Sequence, residues 1–137
     1  MERPRIVGVD FGRVRVGLAV SDPLALFAQP LGAFSPKSAL AELEQIHARD
    51  GIEKLVLGWP FELDGSEGQA VEAVRGFESR LRKAFPSIQI VRCDERFTSK
   101  EATETIVASG AKKRKRRKRG VIDAVAAAII LQSYLDQ

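Results

Sequence analysis

The amino-acid sequence predicts an α/β fold, a mixed five-stranded sheet with helices on both faces. Three observations carry that expectation. Two short apolar runs, separated by a turn bearing glycine and arginine, open the chain as a hairpin does. From residue 35 onward, helical and strand-like periods alternate, as in strands laid parallel through helical crossovers. The final segment, Val121 to Leu135, is apolar almost all round, which suits a helix buried against a sheet. At 137 residues the chain fits one domain, 1–137.

Ile6 to Val9 is a β-branched, glycine-bearing run that ends at Asp10, and Val16 to Ser21 is a second such run. In the second, Val16, Leu18 and Val20 share one face and Gly17, Ala19 and Ser21 the other, because side chains alternate along a strand. A third strand is expected over Ala28 to Phe34, interrupted by Pro30. Ser35 and Pro36 then supply a capping hydroxyl and a proline at the first helical position. Leu40, Leu43 and Ile46 make that helix's apolar stripe, and it ends near Asp50-Gly51. Lys54 to Gly58 is a fourth strand, stopped by Trp59-Pro60. A loop rich in acid and glycine, Phe61 to Gly68, leads to a long helix with Val71, Val74, Phe77, Leu81 and Phe85 at helical spacing, ended by Pro86. Ile88 to Val91 is the fifth strand and runs into Arg92-Cys93-Asp94-Glu95. Thr98-Ser99-Lys100-Glu101 is a capping-box pattern and predicts a third helix as far as Ser109-Gly110. A basic loop at 111–120 follows, and Gly120 separates it from the last helix.

Composition narrows the function classes. No apolar run approaches the roughly 20 residues of a membrane helix. Met1-Glu2-Arg3-Pro4-Arg5 has no apolar stretch behind it, so the expected location is cytoplasmic, with no membrane partner. The single cysteine, Cys93, excludes an internal disulfide and a thiolate metal cluster, and is expected to be a packing residue at a strand end. The single histidine, His47, excludes a site built from several imidazoles. The net charge of +4 conceals an asymmetry. Lys112, Lys113, Arg114, Lys115, Arg116, Arg117, Lys118 and Arg119 hold eight of the 22 basic residues, and the remainder has 14 bases against 18 acids. An acidic domain with one cationic segment points to a partner of dense negative charge, a nucleic acid.

Three acids are candidates for chemistry. Asp10 ends the first strand, Glu95 follows the fifth, and Asp123 falls in the first turn of the apolar last helix. Ligands of open α/β sheets gather at the carboxyl ends of strands, where a helix crossing the sheet could deliver Asp123. Three carboxylates converging without lysine or arginine partners would repel one another, and a divalent cation resolves that conflict. Oxygen-only ligands suit Mg2+ or Mn2+. Each acid also has a purely structural account: a turn beside Gly12 for Asp10, a solvated loop acid or a partner of Arg96 for Glu95, and the helix dipole for Asp123. Against the last stands the apolar company of Asp123, between Val121-Ile122 and Ala124 to Leu131.

Four ordered blocks resemble the YqgF/RuvX family. They are Asp10-Phe11-Gly12-Arg13-Val14-Arg15-Val16-Gly17-Leu18-Ala19-Val20-Ser21-Asp22; Gly58-Trp59-Pro60 with Asp64-Gly65; Asp94-Glu95-Arg96-Phe97-Thr98-Ser99; and Asp123-Ala124-Val125-Ala126-Ala127 leading to Ile130 through Leu135. They cover nearly the whole chain. The resemblance implies a ribonuclease H-like fold related to Holliday junction resolvases, and a nuclease that matures the 5′ end of pre-16S ribosomal RNA. It also implies that Asp10, Glu95 and Asp123 are catalytic metal ligands. Trp59 departs from the leucine expected in the second block, and the basic run is longer than is usual for the family.

For such a nuclease, two metal ions about 3.5–4 Å apart clamp the phosphodiester, with Asp10 as bridging ligand. Arg13, Arg15 and Arg96 lie beside the acids in sequence and are expected to hold phosphate oxygens through forked hydrogen bonds. The basic run, Lys112 to Arg119, is expected to contact the nucleic-acid backbone, although a solvated loop accounts for it too. It contains no aromatic residue, so base stacking is not indicated there. Three other functions fit the sequence less well. A four-way DNA junction resolvase would work as a homodimer. A nucleotide-binding domain like those of sugar kinases shares Asp-x-Gly but needs a second domain. A non-catalytic RNA-binding module would bind without cutting.

Overall fold

A computed structural model of the chain describes residues 4–62, 64–95 and 115–137, the side chains of the last stretch from 121 onward. Strands β1 (Arg5–Phe11), β2 (Val16–Ser21), β3 (Ala28–Phe34), β4 (Ile52–Trp59) and β5 (Gln89–Asp94) form one sheet in the order β3-β2-β1-β4-β5. The β1–β2 and β2–β3 pairs are antiparallel, and the β1–β4 and β4–β5 pairs are parallel. Helices α1 (Pro36–Arg49), α2 (Ala70–Ala84) and α3 (Lys115–Leu135) complete the described elements. The helix expected from 98 to 109 lies outside the described residues.

Alternation along the strands decides which helix goes where. Val7, Val9, Val16, Leu18, Leu55, Leu57 and Trp59 point to one side, where they pack with Ala39, Leu43 and Ile46 of α1 and Val71, Val74, Phe77 and Leu81 of α2. The other side carries Ile6, Ala19, Val56 and Cys93, against Ala127, Ala128, Ile130 and Leu131 of α3. Gly8 and Gly17 on this second face let α3 sit close to the sheet. A Cβ on Gly8 would lie 2.7 Å from the Ala127 carbonyl oxygen, and one on Gly17 would fall on the Asp123 carbonyl. The helices therefore lie on both faces. Cys93 is a buried packing residue, and burial pushes its thiol above the usual range.

Local signals account for the boundaries. The Ser35 hydroxyl accepts from the Ser38 N–H at 3.1 Å, and Pro36 opens α1. Gly51 turns the chain with φ 81°, and Ile52 N–H donates to His47 Nδ1 at 3.0 Å, so the lone histidine joins α1 to β4. Pro30 is tolerated because β3 is the edge strand, and a register shift in β2 precedes Ala19, its partner.

The last helix corrects the expectation of a basic loop over 111–120. Residues 115–120 are helical and continuous with the apolar segment, through Gly120. Lysine and arginine are good helix formers, and a helix nucleated on the buried 121–135 stretch propagates through them at little cost. Residues 111–114 lie outside the described residues.

Trp59 packs into the core. It is fully buried, and its indole N–H donates to Glu67 Oε2 at 2.9 Å. The Arg92 guanidinium lies 3.8 Å from its ring centroid and makes a forked pair with Glu78, both bonds 2.9 Å. Glu78 is only 5% exposed, and the Arg92 hydrogen bonds hold its carboxyl below the ordinary value of 4.5. The folded state thus binds this proton less readily than the unfolded chain. The stabilisation is whole above pH 4.5 and is lost as pH falls through the folded value. Urea titrations from pH 7 to 3 should find Glu78→Gln less stable at pH 7, with the gap to wild type closing below pH 5.

Candidate active site

Asp10 is the penultimate residue of β1 and faces α3, opposite Gly17 of β2 in the ladder. Glu95 follows the last residue of β5, with its N–H donating to the Trp59 carbonyl at 3.2 Å. That bond holds Glu95 against the end of β4, where Gly58 makes room for it. A Cβ on Gly58 would lie 2.5 Å from Glu95 Oε2. Asp123 sits on α3, its carbonyl resting on Gly17. One glycine thus faces Asp10 along the sheet and carries Asp123 above it. The three acids line an open cavity of about 380 Å³ with Phe11, Gly12, Pro60 and Phe61. The cavity lies at the carboxyl ends of the parallel strands β1, β4 and β5, the usual ligand position in such sheets.

The acids form a pair and a single. Asp10 and Glu95 share a side-chain hydrogen bond. Burial, above all, raises both carboxyls, and the Asp10 charge adds to the effect on Glu95, which is pushed up to about 10. Both acids are thus held above their ordinary values, chiefly by burial. Asp123 is close enough for its charge to raise Asp10 further. Its own partner is Arg15, whose Nε donates to Asp123 Oδ2 at 2.9 Å.

Two expectations need correction here. Asp123 does not lack a basic partner, and the position of Arg15 is that of a counter-ion to an acid. The tight Gly12–Arg15 turn brings the arginine back over the site, a tertiary approach across 108 residues of sequence. Asp123 also lies well inside α3, whose first turn holds no acid, so the helix dipole does not account for it. Asp123 thus sits among buried alanines with its charge answered by Arg15.

The donor set suits a hard divalent cation: carboxylate oxygens in an open, water-accessible cavity, with no sulfur or imidazole among its lining residues. The Arg15 guanidinium gives Asp123 the charge compensation that a cation would. As the side chains stand, no three His, Cys, Asp or Glu among the described residues are grouped to hold one ion.

Arg13 is exposed and borders an adjoining cavity of about 210 Å³ that shares Phe11, Gly12, Pro60 and Glu95 with the first. It remains available to a phosphate. Lys115, Arg116, Arg117, Lys118 and Arg119 lie on the first turns of α3, on the same helix as Asp123. Arg96, Lys112, Lys113 and Arg114 lie outside the described residues. Sequence reasoning missed Gly58 as the space for Glu95, and the Trp59–Glu67–Arg92–Glu78 network behind Pro60. A glycine ending a strand before Trp-Pro was the only signal, and it does not name its neighbour.

Among the described residues no helix is long and apolar enough to cross a membrane. A family model described as RuvX, Holliday junction resolvase, matches residues 4–137. A curated relative from Salinibacter ruber, named "Putative pre-16S rRNA nuclease", is 42% identical over 133 residues, covering 97% of this chain and 93% of its own length. One of the same name from Porphyromonas gingivalis is 43% identical over 132 residues, covering 96% of each chain. Among solved structures, Thermus thermophilus RuvC bound to a Holliday junction is similar with a TM-score of 0.57 at 18% identity, over 96% of this chain and 93% of that one. At that identity the likeness concerns architecture, and the architecture is ribonuclease H-like.

Proposed function

Because the chain belongs to the RuvX family, we propose that it is a metal-dependent endonuclease of structured nucleic acid, which processes the 5′ end of pre-16S ribosomal RNA in the cytoplasm. The observation that carries this reading is the cavity at the strand ends, lined by Asp10 and Glu95, hydrogen-bonded to each other, and by Asp123. Burying two acids side by side, with no basic partner for them among the described residues, destabilises the fold, and a cation-binding role is the compensating use. Names borne by relatives support RNA as the substrate.

Asp10, Glu95 and Asp123 are the residues to hold Mg2+ or Mn2+. Two such ions would activate a water and stabilise the leaving oxygen. The protein's own contribution is placement. Asp10, which interacts with both Glu95 and Asp123, would hold the metal together with them. Glu95, held beside Asp10 by the Trp59 carbonyl, would supply its carboxylate oxygens to the same ion. Pro60 and Phe61 wall one side of the cavity, and Arg13 on the adjoining one is placed to take a neighbouring phosphate. Basic residues at the head of α3 supply backbone affinity.

A second reading, cleavage of four-way DNA junctions by a homodimer, is favoured by the description of the matching family model. The test is cleavage of a labelled, structured pre-16S leader RNA and of a four-way DNA junction, each with Mg2+, Mn2+ or chelator. The proposal expects RNA cut only with metal. Preferential cutting of the junction, with a dimer in solution, would select the second reading. No cutting of either, with binding retained, would leave a binding module.

The basic run makes a separate prediction. With about five phosphate contacts, duplex affinity should fall with salt at a log–log slope of about −4 to −5. Glutamine at Lys115, Arg116, Arg117, Lys118 and Arg119 should flatten that slope in filter-binding titrations. An unchanged slope would remove these five residues from the interface.

A further inference from the structure

We propose that Arg15 is the resident counter-ion of Asp123, a positioning residue that must release this carboxylate before all three acids can hold a divalent cation. The inference rests on the metal-dependent reading above and deepens it. Three observations carry it.

First, the acids have different partners. Asp10 and Glu95 hydrogen-bond each other, while Asp123 Oδ2 takes the Arg15 Nε–H at 2.9 Å, although all three line one cavity. Second, the contact is built to be exchanged. The Arg15 and Asp123 side chains are 39% and 27% exposed, and pairs so open to water are weakly held. The nearby Arg92–Glu78 pair shows the contrast, with two bonds of 2.9 Å on a carboxylate that is 6% exposed. Third, Arg15 cannot drift away when it lets go. Its backbone is pinned where the turn from β1 enters β2, with the Arg15 carbonyl so close over Gly12 that a Cβ there would stand 2.6 Å from it. A released guanidinium stays at the cavity mouth, where a substrate phosphate can take it by a forked pair of hydrogen bonds.

Guanidinium and cation therefore compete for one carboxylate. A competitor removed is affinity gained, the reverse of what losing a structural contact would do. The test is Mn2+ binding to the whole chain without nucleic acid, read by the electron paramagnetic resonance of free Mn2+. Arg15→Gln should bind Mn2+ about 5- to 10-fold more tightly than wild type, within the usual range of coupling between sites. Arg15→Lys keeps the charge on a compact head and should fall between the two. Adding Asp123→Asn to Arg15→Gln should abolish the gain, because the contested carboxylate is gone. Thermal melting of each variant shows that the fold is retained, and Arg15→Lys keeps the comparison available if Arg15→Gln fails to fold. Equal or weaker Mn2+ binding by folded Arg15→Gln would overturn the inference while leaving the metal-dependent reading intact. No Mn2+ binding by wild type or any variant would overturn both.

Discussion

Asp10→Asn should reduce cleavage on the order of 10²–10³-fold or more, while the melting temperature of the metal-free protein holds or rises. The activity loss follows from the place of Asp10. It hydrogen-bonds Glu95 and also feels the charge of Asp123, so it is the carboxylate common to the whole group. Replacing one oxygen with an amide nitrogen removes a ligand and a charge from a preorganised electrostatic site, for which losses of this size are usual. The stability result follows from the same burial. A carboxylate taken out of water beside another acid destabilises the native state, and asparagine keeps the shape and the hydrogen bond to Glu95 without the charge. Single-turnover cleavage and a calorimetric scan in chelator measure the two effects. A fall in melting temperature of several degrees together with lost activity would mean that Asp10 is structural.

Gly17→Val should destabilise the fold by about 3 kcal/mol or more and disable the site with it. A Cβ at this position falls on the Asp123 carbonyl, and the Asp123 carbonyl carbon and Ala124 nitrogen crowd it as well. These are backbone atoms, which cannot rotate aside as a side chain can. Relief requires lifting α3 from β2, which opens the packing of Ala127, Ala128, Ile130 and Leu131 on the sheet. Overpacking of a close-fitted interior usually has a penalty of 1–3 kcal/mol, and rigid backbone on both sides places this case at or above the top of that range. Equilibrium urea unfolding measures the loss. A substitution that left stability within 1 kcal/mol would show that α3 adjusts freely on the sheet, contrary to the close contact at Gly8 and Gly17.

Much of the architecture was legible because its signals are local. The alternation of Val16, Leu18 and Val20 against Gly17, Ala19 and Ser21 needs only the two-residue period of a strand, and the observed β2 has those bounds. Ser35-Pro36 marked the start of α1 because capping acts within one turn. The junction at Gly120 misled for a related reason. Glycine weakens a helix by only about 1 kcal/mol, and tertiary packing of the following segment outweighs a term that small.

The amino-acid sequence by itself determined the strand faces, the start of α1 and the five-strand class, and singled out the three acids as candidates, since each depends on residue type and short-range spacing. The acids were further marked by ordered blocks resembling one family, later matched over residues 4–137. Only the tertiary structure decided what those acids are in contact with. Asp10 meets Glu95 across β4, Gly58 clears the space for Glu95, and Arg15 reaches Asp123 over 108 residues. The physical reason is that charge compensation and close packing depend on distances of a few ångströms between atoms far apart in the chain. A residue's type states which charges it can carry, and the fold alone states which opposite charge, proton or empty space stands next to it.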